Sequence, residues 1–244
     1  MNKTVIITGA SRGIGRAAAV KFAGEGFNIV INSVSNTDKL NETEKLCLNA
    51  NPSTQVLAIK GDISDSAFAK HLVEASVNRF GSIDILINNA GISFVGVIQD
   101  TDDETWQRII NTNLSSVHYC TRSVIPYMLK AGKGSIINIS SVWGNVGASC
   151  EAAYAASKGG INAYTKSAAK ELAPSGISVN AIACGLVDTD MNKCFSKEDL
   201  DAVCEEIPVG RSADPKEIAE TIYHISQCPA YLTGQIITMD GGWT

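Results

Sequence analysis

The sequence predicts an α/β fold, a doubly wound parallel sheet with helices on both faces, and three observations carry that prediction. Short runs rich in Val and Ile recur along the chain, they are apolar at consecutive positions, and helix-length stretches of mixed polarity separate most of them. A strand apolar on both faces must be covered on both, which is the condition of a parallel sheet wrapped by helices. With 244 residues, 45% hydrophobic and 18% charged, the chain is long enough for one large core. No linker, repeat or charge run divides it, so residues 1–244 read as one domain.

The first strand, Thr4 to Thr8, runs into Thr8-Gly9-Ala10-Ser11-Arg12-Gly13-Ile14-Gly15-Arg16, and a helix begins around Ala17-Ala18-Ala19-Val20. Glycines at such a junction let the backbone approach a pyrophosphate, and the helix N-terminus adds unpaired N–H groups and a favourable dipole. Gly9, Ser11, Arg12, Gly13, Ile14 and Gly15 are therefore the candidate cradle of a dinucleotide, in the manner of a Rossmann-type fold. The lysine of a Gly-x-x-x-x-Gly-Lys triphosphate loop is missing, which argues against an ATPase.

The second strand, Asn28 to Asn32, ends in Ser33-Val34-Ser35-Asn36, with no acid before Asp38. NAD enzymes place a carboxylate on the ribose at this point, and here a 2'-phosphate would meet none. Arg12 is a candidate partner for that phosphate, and Ser33 and Ser35 are candidate donors, so NADP(H) is favoured over NAD(H). Further strands are expected at Val56 to Lys60, Ile83 to Asn88, Ser135 to Ser140, Ser178 to Ala183 and Gln235 to Met239. Asp65 and Asp102 look like helix starts. The stretch from Asp102 to about Ala131 is long, and Pro126 is expected to kink or interrupt it.

Downstream of the fifth strand, Tyr154 and Lys158 stand four apart, with Ser141 thirteen positions before Tyr154. On a helix, positions i and i+4 share a face, so the ammonium lies beside the phenol. A cation about 4 Å away at an effective dielectric of about 20 contributes roughly 4 kcal/mol, which lowers the phenol pKa before desolvation subtracts. Such a tyrosine exchanges a proton with an alcohol or alkoxide while Ser141 holds the same oxygen.

Net charge is -5 and the basic residues are scattered, which gives no footprint for nucleic acid. No segment approaches a membrane span or a signal peptide, so a soluble, cytoplasmic protein is expected. Seven dispersed cysteines without a Cys-x-x-Cys pair, and only three histidines, read as free thiols in a reducing compartment and not as a metal site.

With the glycine loop, Asn88-Asn89-Ala90-Gly91, Asn113, Ser141 and Tyr154-x-x-x-Lys158 in order, the whole chain resembles the short-chain dehydrogenase/reductase family. The resemblance implies a seven-stranded Rossmann-type sheet, usually in a homotetramer. It implies Tyr154 as acid/base, Lys158 lowering its pKa and holding the nicotinamide ribose, Ser141 orienting the substrate oxygen and Asn113 anchoring a water that leads to Lys158. Asp62 and Ile63 would flank the adenine, Asn89, Ala90 and Gly91 would line the cofactor, and Val187 and Thr189 would meet the nicotinamide end. Where the family usually has Pro-Gly, this chain has Cys184-Gly185, which removes a stiffening proline.

Within the family the chain looks most like bacterial 3-oxoacyl-[acyl-carrier-protein] reductases, a reading that implies fatty acid biosynthesis and a substrate presented on acyl carrier protein. The basic rim an acidic carrier would want is thin, with Lys130 and Lys133 alone and no cation in Pro174-Ser175-Gly176. The alternative is a free ketone or secondary alcohol such as a hydroxysteroid or bile acid. A non-catalytic NADP-binding protein is the third class, and the proton-transfer set argues against it. The pocket is expected to be lined by 93–97, 143–151 and a lid near 191–208, with Trp143, Val146, Met191 and Phe195 making it apolar.

Overall fold

Side-chain alternation along the strands builds two cores from one sheet. Val5 and Ile7 of β1 (Thr4–Ile7) face one side and Ile6 the other, and Ile29 and Ile31 oppose Val30 in the same way along β2 (Asn28–Ser33). The computed structural model describes residues 2–244, apart from the side chain of Cys194. Its remaining strands are β3 (Val56–Lys60), β4 (Ile85–Asn88), β5 (Gly134–Ser141), β6 (Ile177–Cys184) and β7 (Ile236–Met239). All pair parallel in the order β3-β2-β1-β4-β5-β6-β7, so the predicted seven-stranded sheet is present, each strand within two residues of its expected bounds.

The helices are α1 (Gly13–Gly24), α2 (Thr37–Ala50), α3 (Ser66–Phe80), α4 (Asp103–Ile110), α5 (Ser116–Ala131), α6 (Trp143–Val146), α7 (Ala152–Leu172), α8 (Lys197–Glu206) and α9 (Pro215–Gln227). Phe22 of α1, Leu40 of α2 and Ile222 of α9 close one core. Leu72 of α3, Val124 of α5 and Leu172 of α7 close the other. The consecutive apolar runs of the sequence are explained by this double cover. Strand order reverses between β1 and β4, and the chain leaves both strands toward the same crevice, which is where open α/β sheets hold ligands.

Asp65 and Asp102 cap α3 and α4 as expected, accepting from the Ala67 and Thr105 N–H groups at 2.9 and 2.7 Å. The break in the long helical stretch is not at Pro126. It is a π-helical turn over Asn111–Ser115, and α5 runs through Pro126. Pro126 is exposed, as is Arg122 whose carbonyl loses its helical partner, so both sit on the solvent side of the helix, where a missing backbone bond costs least. Among the described residues no helix is long and apolar enough to cross a membrane, and no three His, Cys, Asp or Glu residues gather as a metal site. The six cysteines with described side chains are free.

Candidate active site

The glycine loop is shaped by contacts that no larger residue permits. Gly9 has φ +65, and a Cβ there would fall 2.7 Å from the Ala90 Cα; at Gly15 it would fall 2.5 Å from Asn89 Nδ2 and 2.6 Å from the Gly9 carbonyl oxygen. Strand ends β1 and β4 are thus locked together. Thr8 Oγ1 accepts from the Asn89 and Ala90 N–H groups at 3.0 Å, and Asn89 Nδ2 donates to the Thr8 and Gly9 carbonyls. Asn89 is therefore first a brace of the loop.

Five helices (α2, α3, α4, α8 and α9) have an N-cap side chain accepting from their first turn, whereas α1, which starts at Gly13, has none. Its first residues, Gly13 and Ile14, line the cleft beside Ser11 and Arg12. Together with the missing Cβ atoms this fits a pyrophosphate. Two supports escaped the sequence reading: Arg16 Nη2 donates to the Ser11 carbonyl at 2.6 Å, and Thr43 Oγ1 donates to the Ala10 carbonyl at 3.0 Å. Neither position has a local signal, since their partners lie on another element.

Ser141, Tyr154, Lys158 and Asn113 come together at the C-terminal end of β5. Ser141 is the last residue of β5; its Oγ accepts from the Trp143 N–H at 3.2 Å, and it lines the cleft together with Tyr154. The preceding Ser140 is turned away, donating to Asn162 Oδ1 at 2.6 Å. Lys158 is buried 5.5 Å from the Tyr154 ring centre and donates to the Ile139 carbonyl at 2.7 Å.

The expectation that Lys158 lowers the Tyr154 pKa is corrected by this geometry. Burial, reinforced by Cys184 and Glu151, pushes the phenol above its usual value, and only Ser141 opposes the rise. Lys158 is itself pushed down to about 8 by burial, with Cys184 opposing. Desolvation outweighs the pairing because the ammonium is directed at a backbone carbonyl and not at the phenol oxygen.

Asn113 lies within the π-helical turn and is fully buried. Its Oδ1 accepts from the Ile92 N–H at 2.8 Å, and its Nδ2 donates to the Ile92 carbonyl and to Ser157 Oγ at 2.9 and 3.0 Å. A Cβ on Gly91 would lie 3.4 Å from Asn113 Oδ1 and 3.7 Å from Lys158 Nζ, so both groups face that residue. A buried polar layer that the sequence did not announce supports the set: Asn88 Nδ2 donates to Asn138 Oδ1, and Asn138 Nδ2 to Thr165 Oγ1, at 2.8 and 2.9 Å.

A cleft of about 1570 Å³ joins these groups to the glycine loop. Ser33, Asp62, Ile63, Asn89, Ala90, Gly91, Val187 and Thr189 all line it. Asp62 Oδ1 is occupied by Ser64, accepting from its N–H and Oγ at 2.8 Å. Trp143, Met191 and Phe195 line the cleft as expected, but Val146 is 62% exposed and does not. Trp243 was missed; its ring meets Trp143 edge-on at 4.9 Å, a contact between the chain's end and its middle that no spacing foretells. Glu151 also lines the cleft, burial pushing its carboxyl above the usual carboxylate range with Trp143 opposing.

Arg12 does not stand free for a phosphate, as the sequence reading had it. Its Nη1 pairs with Asp190 Oδ2 at 3.0 Å. Cys184 stays within the β6 ladder, opposite Ser141 and Met239, and the Gly185 N–H still reaches the Met239 carbonyl at 3.0 Å. The absent proline therefore leaves this edge regular.

The chain is an oxidoreductase by its likeness to known proteins. Residues 3–200 match the family model described as short chain dehydrogenase, and the chain belongs to that family. It is similar to the uncharacterized oxidoreductase YmfI of Bacillus subtilis, 39% identical over 100% of this chain and 99% of that one. It is equally similar to the 3-oxoacyl-[acyl-carrier-protein] reductase FabG of Thermotoga maritima, 40% identical over 98% and 97%. Among solved structures, an actinorhodin polyketide ketoreductase with NADPH superposes with a TM-score of 0.93 at 32% identity, covering 99% of this chain and 97% of the other.

Proposed function

We propose that the protein reduces a carbonyl to a secondary alcohol with NADPH, reversibly, and that the carbonyl is that of a 3-oxoacyl thioester. The observation that carries the chemistry is the gathering of Ser141, Tyr154 and Lys158 on the cleft that the glycine loop opens. When bound, the dihydronicotinamide supplies the hydride. Tyr154 Oη, held protonated by its raised pKa, gives its proton to the carbonyl oxygen as negative charge develops there. Ser141 Oγ, anchored by the Trp143 N–H, donates to the same oxygen. Lys158 holds the ribose beside Gly91, and Asn113 Oδ1, with a lone pair beyond its bond from Ile92, anchors a water toward Lys158.

NADPH is supported by the acid-free end of β2, by Arg12 and Lys39 lining the adenosine side of the cleft, and by the NADPH-bound ketoreductase among the neighbours. The thioester is supported by the full-length likeness to proteins named FabG, and with it a place in fatty acid biosynthesis. A second reading, a free ketone of steroid size or smaller, is favoured by α8. That helix lines the cleft through Asp199, Leu200 and Val203 and carries five acids against one lysine, a surface that repels an acidic carrier protein. We further place the protein in the cytoplasm as a single domain with residues 191–208 as its lid, in the homotetramer usual for the family.

The test is a panel of 3-oxoacyl thioesters, steroid ketones and small ketones followed by NADPH absorbance, each repeated with NADH. Turnover confined to free ketones would overturn the thioester reading. Equal use of NADH would overturn the cofactor reading.

A further inference from the structure

Asp190 gathers three cations. Its carboxylate lies 3.0 Å from Arg12 Nη1, 3.0 Å from Lys39 Nζ and 2.6 Å from Lys193 Nζ. Lys193 is a neighbour three residues on, but Arg12 and Lys39 come from the glycine loop and the first turn of α2. These are the two cations beside Ser33, Val34, Ser35 and Asn36, where the adenosine ribose of a dinucleotide is expected to lie. One carboxylate has drawn in both.

The segment that carries Asp190 is not anchored in either core. From Asp188 to Glu206 no described side chain is buried, and α8 places none in a core. At its ends the Asp188 N–H donates to the Ala213 carbonyl at 2.9 Å and Glu206 accepts from Trp243 Nε1 at 3.4 Å; between them Asn192 Nδ2 donates to the Val187 carbonyl at 2.7 Å, and Asp190 binds Arg12 and Lys39. Segments with few buried apolar contacts open at low free-energy cost. The state of Asp190 therefore weighs heavily on where this segment sits.

We propose that Asp190 is an internal competitor for the 2'-phosphate subsite, a strap that ties the lid to Arg12 and Lys39 until a 2'-phosphorylated adenosine displaces it. The inference rests on the NADPH reading above and adds to it a specificity residue, Lys39, and a coupling between cofactor choice and lid position. A phosphate monoester carries a charge of about -1.5 to -2 at neutral pH and three acceptor oxygens, against one charge and two oxygens for the carboxylate. It satisfies both cations better and leaves Asp190 with Lys193. An adenosine lacking that phosphate has nothing with which to displace the carboxylate, so the strap stays tied.

The test uses adenosine 2',5'-bisphosphate and 5'-AMP, which carry no nicotinamide, in calorimetric titrations of the full chain. Wild type is expected to prefer the bisphosphate. Asp190→Asn should tighten the bisphosphate several-fold and leave 5'-AMP within about two-fold, because only the former competes with the carboxylate. Lys39→Met should weaken the bisphosphate about ten-fold, the size of one charge-assisted contact. Hydrogen exchange of residues 190–206 should rise when wild type binds the bisphosphate and should already be high in Asp190→Asn. Unchanged or weaker bisphosphate binding in Asp190→Asn, with the wild-type preference intact, would overturn the strap alone. Equal wild-type affinities would overturn the NADPH reading and the strap with it.

Discussion

The Ser141 hydroxyl at the end of β5 and the Tyr154 phenol in the first turn of α7 line the same cleft, and the hydroxyl opposes the rise that burial imposes on the phenol pKa. Both therefore converge on one point of the cleft, where a carbonyl oxygen receives two donors at once. Tyr154→Phe removes the proton donor and should lower kcat by roughly 10²–10⁴-fold. Ser141→Ala removes one oxyanion donor and should cost about 10²–10³-fold. NADPH affinity, measured by fluorescence titration, should change little in either variant, and retained turnover in Tyr154→Phe would exclude it as the acid.

The raised phenol pKa gives the two reaction directions different pH profiles. Reduction needs Tyr154 protonated, which it is throughout the neutral range, so kcat for reduction should be flat from about pH 6 to 9. Oxidation needs the phenolate, whose fraction grows with pH, so that rate should climb across the same interval. A reductive rate that falls away above neutral pH would show that the phenol titrates low, as a dominant Lys158 pairing would require.

Burial pushes the thiols of Cys47, Cys120 and Cys184 up to about 12, whereas Cys150 and Cys228 are exposed. At pH 8 the buried three are almost wholly neutral thiols, and the thiolate is the nucleophile. Iodoacetamide should therefore label Cys150 and Cys228 first and spare the other three, as read by peptide mass spectrometry. Early labelling of Cys184 would mean that the site opens around it.

Gly15 is packed against Asn89 and the Gly9 carbonyl with no space for a methyl group. Gly15→Ala should destabilise the fold by about 1–3 kcal/mol through overpacking and weaken dinucleotide binding as the loop shifts. Urea denaturation and NADPH titration would read the two effects separately. Unaltered stability would mean that the loop has slack that the contacts do not show.

Asn138 bridges Asn88 and Thr165 within the buried layer beneath the site. Asn138→Leu should cost about 1–3 kcal/mol, because Thr165 Oγ1 loses a buried donor and Asn88 Nδ2 keeps only its longer bond to Thr121 Oγ1 at 3.4 Å. Thermal denaturation measures it, and an unchanged midpoint would show that the layer is dispensable.

Strand positions, the glycine loop, the helix starts at Asp65 and Asp102, and the order of Asn113, Ser141, Tyr154 and Lys158 were legible from the sequence because each depends on residues near one another in the chain. Period, caps and turn chemistry are local. The helix break was misplaced at Pro126 because proline is a local signal, while the π-helical turn at Asn113 accompanies bonds to Ile92 and Ser157 on other elements.

The Tyr154 pKa was misjudged for a related reason. Spacing places Lys158 on the right face of α7, but only the packed structure turns its ammonium toward Ile139 and encloses the phenol. The contact between Trp143 and Trp243 and the meeting of Arg12, Lys39 and Asp190 belong to the same class. By itself the sequence determined the sheet, and it picked out the glycine loop and the residues that gather at the end of β5. The tertiary structure decided which charges meet, which serine faces the phenol and how far water is excluded from it, since distance and desolvation are set by elements far apart in the chain.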